Sequence, residues 1–358
     1  MDSNDRATGK PEAIHLGDDT RAETPDPDCA ARLMTAKATP SDAHVSDVGK
    51  PPVETPDGLA RPVDYGAKSG AGNDRALVLG GGGVFFIAWQ VGYLNGLRKR
   101  GVDLTDAQIV VGTSAGALVA SIVSAVKLAA FSREVGMLAR LASMLVPATA
   151  LRPSQSRALT MFTDATEASP DTLRSIGFAA LATHGESAAK LRGSVGLALG
   201  VGSNKWPAPA LNIVTVDVYT GERLVLTGAA GVSAARAAAA SASVPGLFDP
   251  QPVLDRKCMD GGVSGSGTHS DIVAGARRAV VIALGASMRQ EKASGTLPVG
   301  SLDREMQALA AAGTETLLRG PRTVDPATLM SRRSVPGALA MGDEQADGDA
   351  AAIGKFWR

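Results

Sequence analysis

Ala76-Leu77-Val78-Leu79-Gly80-Gly81-Gly82-Gly83 decides the fold, together with a second stretch built alike, Ile109-Val110-Val111-Gly112-Thr113-Ser114-Ala115-Gly116. Each is a short aliphatic run that stops at a turn of small residues, as a buried strand entering a tight turn does. Beyond the first turn, Ile87, Val91, Leu94 and Leu97 recur at helical spacing, and Arg98-Lys99-Arg100 suit a helix C-terminus before Gly101. The second stretch predicts a strand over Gln108 to Gly112, a turn at Thr113 to Gly116 and a helix over Ala117 to Lys127. Strand, turn and helix twice in succession imply a parallel α/β sheet.

Downstream, Leu211 to Val216 and Arg223 to Leu226 read as strands flanking a turn at Tyr219-Thr220-Gly221, and Ser233 to Ser241 as a helix ending before Pro245-Gly246. Ala279 to Leu284 reads as a further buried strand, with helices expected near Leu302 to Leu318 and from about Asp349. Between about 128 and 208 the chain is rich in Ala, Leu and Met, and Phe131, Val135, Leu138, Met144 and Leu145 share a helical stripe. The stripe fits a core-facing helix, or a lid that touches a membrane. Residues 1 to 72 hold Pro, Asp, Thr and Ser with no apolar period, which predicts a disordered acidic arm. The expected plan is that arm, a main domain over 73–290 with a helical insertion at about 128–208, and a helical extension over 291–358 packed on the same domain.

The 358 residues carry 36 Lys and Arg against 36 Asp and Glu. No global field points to nucleic acid or an anionic membrane. Cys29 and Cys258 lie far apart and match no metal-ligand spacing, so neither a disulfide scaffold nor a structural zinc site is expected, and the default compartment is reducing. The opening residues, with Asp2, Asp5, Arg6 and Lys10, lack the pattern of a secretory signal. The longest uncharged window, Ala107 to Val126, divides into strand, turn and helix and is not expected to span a bilayer. A soluble cytoplasmic protein is the expectation.

Gly112-Thr113-Ser114-Ala115-Gly116 satisfies G-x-S-x-G between a strand and a helix, the context of a nucleophile elbow. Ser114 is the candidate nucleophile; the competing reading is a tight turn with an inert serine. The four glycines at 80–83 fail as a P-loop, since Val84-Phe85-Phe86 follows them, and fit a dinucleotide fingerprint poorly, since Phe86 stands at its third glycine. They suit an oxyanion hole, in which Gly81, Gly82 and Gly83 offer N–H groups to a developing negative charge. A serine nucleophile needs a base. Of the four histidines, His15 and His44 lie in the arm and His184 in a loop, leaving His269 as the triad candidate, in the order Ser114, Asp260, His269. Asp260 opens Asp260-Gly261-Gly262, where a sharp turn would leave its carboxylate facing a cleft, or would be an ordinary Asp-Gly turn.

The glycine loop, Gly-Thr-Ser-Ala-Gly and Asp-Gly-Gly, in that order, together with Ala238 to Phe248 upstream of the aspartate, resemble the patatin-like phospholipase family over roughly residues 75 to 285. The resemblance implies a three-layer α/β/α sandwich with a mostly parallel central sheet. It implies that Ser114 attacks an acyl carbonyl, that Asp260 takes its proton without a histidine, and that the glycine loop is the oxyanion hole. It implies a lipid ester as substrate, transient contact with a membrane surface, and no metal or organic cofactor. Phe86 departs from the family pattern, which has glycine there, so Phe85 and Phe86 are expected either to contact an acyl chain or to pack the helix on the sheet. A Ser-His-Asp esterase using His269 and a non-catalytic lipid-binding module are the alternatives.

Overall fold

The computed structural model describes residues 70–125, 127–128, 146, 150–200, 202–288 and 301–358. The readings placed on residues 1–69, including His15, His44 and Cys29, and on the stripe from Phe131 to Leu145 lie outside the described residues.

β1 (Arg75–Leu79) passes through the glycines into α1 (Gly83–Lys99), and β2 (Ile109–Thr113) turns at Ser114 into α2 (Ala115–Ser124). Among the described residues, α3 (Pro153–Thr163), α4 (Pro170–Leu181) and α5 (Ala188–Leu199) come later. Next come β3 (Leu211–Asp217), β4 (Arg223–Leu226), α6 (Ala234–Ser241), β5 (Gln251–Val253), β6 (Arg256–Asp260) and β7 (Arg278–Ile282). The described chain closes with α7 (Ser301–Ala311), β8 (Glu315–Arg319) and α8 (Val335–Trp357).

The strands form one sheet in the order β5-β6-β3-β2-β1-β7-β8, with β4 also paired to β3. β1 runs parallel to β2 and β7, β2 parallel to β3, and β7 parallel to β8, while β4, β5 and β6 run antiparallel to their neighbours. Alternate residues serve opposite faces. Leu77, Leu79, Ile213 and Ile282 pack with α1, α2 and α6, whereas Val78, Val111, Val214 and Val281 pack with Ile272, Val273 and the α7 residues Leu302 and Leu309. Burial on both faces explains why β1 and β2 read as unbroken apolar runs. The α/β sandwich with a mostly parallel sheet is therefore the observed fold.

The tail corrects two expectations. The helix expected over Leu302 to Leu318 ends at Ala311, and its second half is the strand β8, whose Thr316, Leu317 and Leu318 pair with Ala279, Val280 and Val281. Pairing with an open sheet edge overrides local helix propensity there. The last helix starts at Val335, not near Asp349. Pro336 occupies its first turn, and Gly337, Gly342 and Gly348 weaken the helical signal in the sequence. Packing uses one of those glycines: a Cβ on Gly342 would stand 2.3 Å from the Trp89 carbonyl oxygen, and one on Gly92 would stand 2.2 Å from that of Leu339. α1 and α8 thus touch backbone to backbone. Trp89 Nε1 donates to Gln345 at 2.9 Å and the Tyr93 hydroxyl to Asp349 at 2.7 Å across the same seam. This second cover explains why α1 is buried nearly all round and not along one stripe.

Candidate active site

β3 is the platform of the site. One of its edges is taken by β4 from Ile213 to Val216, so β2 and β6 must share the other. β2 holds that edge until Thr113 pairs with Val214, and β6 takes over at the next residue, where Asp260 pairs with Thr215. Ser114 and Asp260 are brought to successive rungs of one strand edge. The Ser114 hydroxyl donates to Asp260 Oδ2 at 2.6 Å. Ser114 takes φ 52° and ψ −117°, a left-handed conformation that a serine holds only when its surroundings impose it. The turn is sharp enough to need bare neighbours: a Cβ on Gly116 would stand 1.9 Å from the Leu79 carbonyl oxygen, and one on Gly112 would stand 2.7 Å from Ala117 Cα. The small residues of the motif are thereby explained by close approach of α2 to the sheet.

Asp260 is 2% exposed and Ser114 9%. The carboxylate receives two hydrogen bonds, from the Ser114 hydroxyl and from the Gly262 N–H on Oδ1 at 2.7 Å. Among the described residues it has no cationic partner. Burial pushes its pKa from 3.8 to about 7, against the opposing pull of the two donors. A base poised near neutrality is what proton transfer from a serine hydroxyl requires.

The glycine loop lies against this pair, a Cβ on Gly81 standing 3.1 Å from Ser114 Cβ. One of its three expected donors is spent. The Gly81 N–H bonds to the Gly267 carbonyl at 2.9 Å, which ties the loop to the 266–270 segment, so the expectation for Gly81 is corrected. The N–H groups of Gly82 and Gly83 have no acceptor among the described residues, as expected at the first positions of α1. Gly83 has φ 66°, and a Cβ there would stand 2.5 Å from the Leu329 carbonyl oxygen, which accepts the Phe85 N–H at 3.1 Å. The segment before α8 therefore braces the loop, a contribution with no motif in the sequence. Gln90, buried in α1, donates to the Gly80 carbonyl at 2.8 Å and fixes the loop from below.

His269 sits elsewhere. Its Nε2 bonds to the Gly261 carbonyl at 2.8 Å, Nδ1 faces Arg223 at 3.4 Å, and neither nitrogen bonds to Ser114 or Asp260. Burial lowers its pKa and disfavours the charged ring, which clamps the Asp-Gly-Gly turn through the Gly261 carbonyl. The triad alternative finds no support in this geometry. His269, Asp271 and Glu305 bring ligand atoms within 4.8 Å of one another. Their oxygens are already engaged: Arg223 holds both Asp271 oxygens at 2.9 Å, and Glu305 accepts from Thr268 at 2.6 Å and from the Ser270 hydroxyl and N–H at 2.7 and 2.8 Å. The cluster reads as a hydrogen-bonded brace for the loop that carries Gly267.

Phe85 and Phe86 are both core residues, Phe86 stacking on Trp89 with centroids 5.6 Å apart. The missing Cβ of Gly82 gives the Phe86 ring its room, since a Cβ there would stand 2.7 Å from Phe86 Cβ. Cys258 is fully buried, which pushes its thiol well above the usual range. A groove of about 870 Å³ between α3 and α4, lined by Arg157, Thr160, Met161, Asp164, Ser175 and Ile176 among others, includes none of the residues around Ser114. No helix among the described residues is long and apolar enough to cross a membrane.

A family model described as Patatin-like phospholipase matches residues 77–269. Among solved structures, VipD from Legionella pneumophila is similar at 15% identity over 76% of this chain, with a TM-score of 0.31. The type III effector protein ExoU is similar at 16% identity over 78% of this chain, with a TM-score of 0.37. The match spans 66% of the first protein and 53% of the second. No curated protein matches the chain.

Proposed function

The chain belongs to the patatin-like phospholipase family, and we propose that it hydrolyses lipid esters through a Ser114–Asp260 dyad. The observation that carries this reading is the 2.6 Å hydrogen bond from the Ser114 hydroxyl to a buried carboxylate that has no cationic partner among the described residues. Asp260 takes the hydroxyl proton as Ser114 Oγ attacks the acyl carbonyl, and the oxygen that becomes negative is met by the N–H groups of Gly82 and Gly83. Preorganised donors of this kind are worth about 3 kcal/mol each in a water-poor site. As the tetrahedral species collapses, Asp260 returns the proton to the departing alcohol and the acyl group stays on Ser114. Water, deprotonated by the same carboxylate, then releases the acid and restores the serine. The base form is needed, so turnover is expected to rise with pH through about 7.

The family supports a lipid ester with an apolar acyl chain as substrate; contact with a membrane surface and a place in the cytoplasm are part of the same proposal. Incubation with a fluorophosphonate probe tests the chemistry. Wild-type chain is expected to be labelled at Ser114, and Ser114→Ala to remain unlabelled. A folded wild-type chain inert to the probe and to short-chain, monoglyceride and phospholipid esters would favour the lipid-binding module instead.

A further inference from the structure

We propose that the Ser241 hydroxyl is a positioning group for the reaction, holding the turn at Ser114 open so that its side chain reaches Asp260. This deepens the dyad reading and rests on it. In the parallel ladder of β2 and β3, the Val110 N–H donates to the Ala210 carbonyl, and bonds of this kind recur at every second residue. Two rungs further, the Ser114 N–H would meet the Val214 carbonyl and β2 would continue straight. Ser241 Oγ stands between them. It accepts the Ser114 N–H at 2.8 Å and donates its own proton to the Val214 carbonyl at 2.5 Å. Inserting a hydroxyl into the ladder satisfies both buried backbone groups while separating the two strands at the rung where β2 must leave and β6 must enter.

The same short segment reaches the second member of the pair. The Ser243 carbonyl accepts the Asp260 N–H at 3.0 Å. Ser241, at the end of α6, and Ser243, two residues on, thus grip the backbones of residues 114 and 260 from one side, and both are buried, at 0% and 1% exposure. The Ser243 hydroxyl is spent on the Ala239 carbonyl at 2.8 Å, so only its backbone takes part. The left-handed conformation of Ser114 gives the brace its purpose, because a strained residue relaxes when the contact that imposes it is removed.

Hydrolysis of p-nitrophenyl butyrate by the full chain tests this, with kcat, KM and the pH profile read for each variant. Ser241→Ala is expected to lower kcat about 10- to 100-fold, the scale of a displacement of about 1 Å at a reacting pair, with KM changed less than about twofold. The acid limb of the profile is expected to move to higher pH, because the Ser114 hydrogen bond is one of the groups holding the Asp260 pKa down. Ser121→Ala, which removes another buried hydroxyl bonded among the described residues only to the Ala117 carbonyl, is expected to leave both readings unchanged. Should Ser241→Ala not fold, Ser241→Cys keeps a donor and acceptor at the same position, but a larger and weaker one, and the same two shifts are expected from it. A folded Ser241 variant with wild-type kcat, or with reduced kcat and an unmoved acid limb, overturns the proposal. Asp260→Asn separates this from the reading beneath it: if that variant keeps its turnover the dyad fails, and if it loses turnover while Ser241→Ala does not, only the role of Ser241 fails.

Discussion

Replacing Asp260 by Asn is expected to make the protein more stable at neutral and alkaline pH while removing its hydrolytic activity. The carboxyl group is 2% exposed and has two donors to offset a full negative charge. Its pKa therefore stands at about 7 in the folded chain, against 3.8 for an ordinary aspartate. Between those values the folded chain holds a proton that the unfolded chain has released, so stability falls as pH rises through the window and the full penalty is present above it. A shift of about three units at about 1.4 kcal/mol each places that penalty near 4 kcal/mol. Asparagine fills the same space, accepts the Gly262 N–H and carries no charge. The assay is urea unfolding of both proteins from pH 4 to 8.5, comparing midpoints at constant slope. Groups that titrate alike in both cancel in the difference, leaving Asp260 alone. The advantage of Asp260→Asn should grow across the window by several kcal/mol and level off above about pH 7.5. A difference independent of pH would refute the account of Asp260 as a buried, underpaired base.

His269→Asn should keep kcat within about tenfold of wild type while losing roughly 1–3 kcal/mol of stability, since asparagine tolerates the φ of 54° but not the full bond to Gly261; a loss of several orders of magnitude in steady-state kinetics would restore the triad. Gly83→Ala should lower both thermal midpoint and kcat, because the new Cβ meets the Leu329 carbonyl oxygen at 2.5 Å and the backbone is left-handed there; an unchanged midpoint with normal kcat would show that the loop is not braced by that segment. Phe86→Ala should cost about 3–5 kcal/mol in denaturant unfolding, as the ring is fully buried against Trp89; a cost under 1 kcal/mol with altered acyl-chain preference would make Phe86 a substrate contact.

Local sequence carried the sheet's centre. β1, β2 and β7 are short aliphatic runs closed by small-residue turns, and burial on both faces leaves a run of that kind little else to be. Ser114 was legible for the same reason: a G-x-S-x-G turn between strand and helix needs bare glycines at 112 and 116, and the contacts of both positions require them. Asp260 was legible only through the order of motifs, since β6 itself is partly charged and has no apolar period. The sequence was silent wherever a residue's task is set by what crosses over it. β8 and α8 draw their stability from a sheet edge and from α1, so their own propensities mislead. The Gly81 N–H looked available because nothing nearby in the chain shows that the Gly267 carbonyl would take it. The meeting of Ser114 with Asp260 arises because one strand leaves the edge of β3 at Thr113 and another arrives at Asp260 on the adjoining rung. Residue types fix which groups can share a proton; only the pairing of distant strands fixes that these two meet at 2.6 Å.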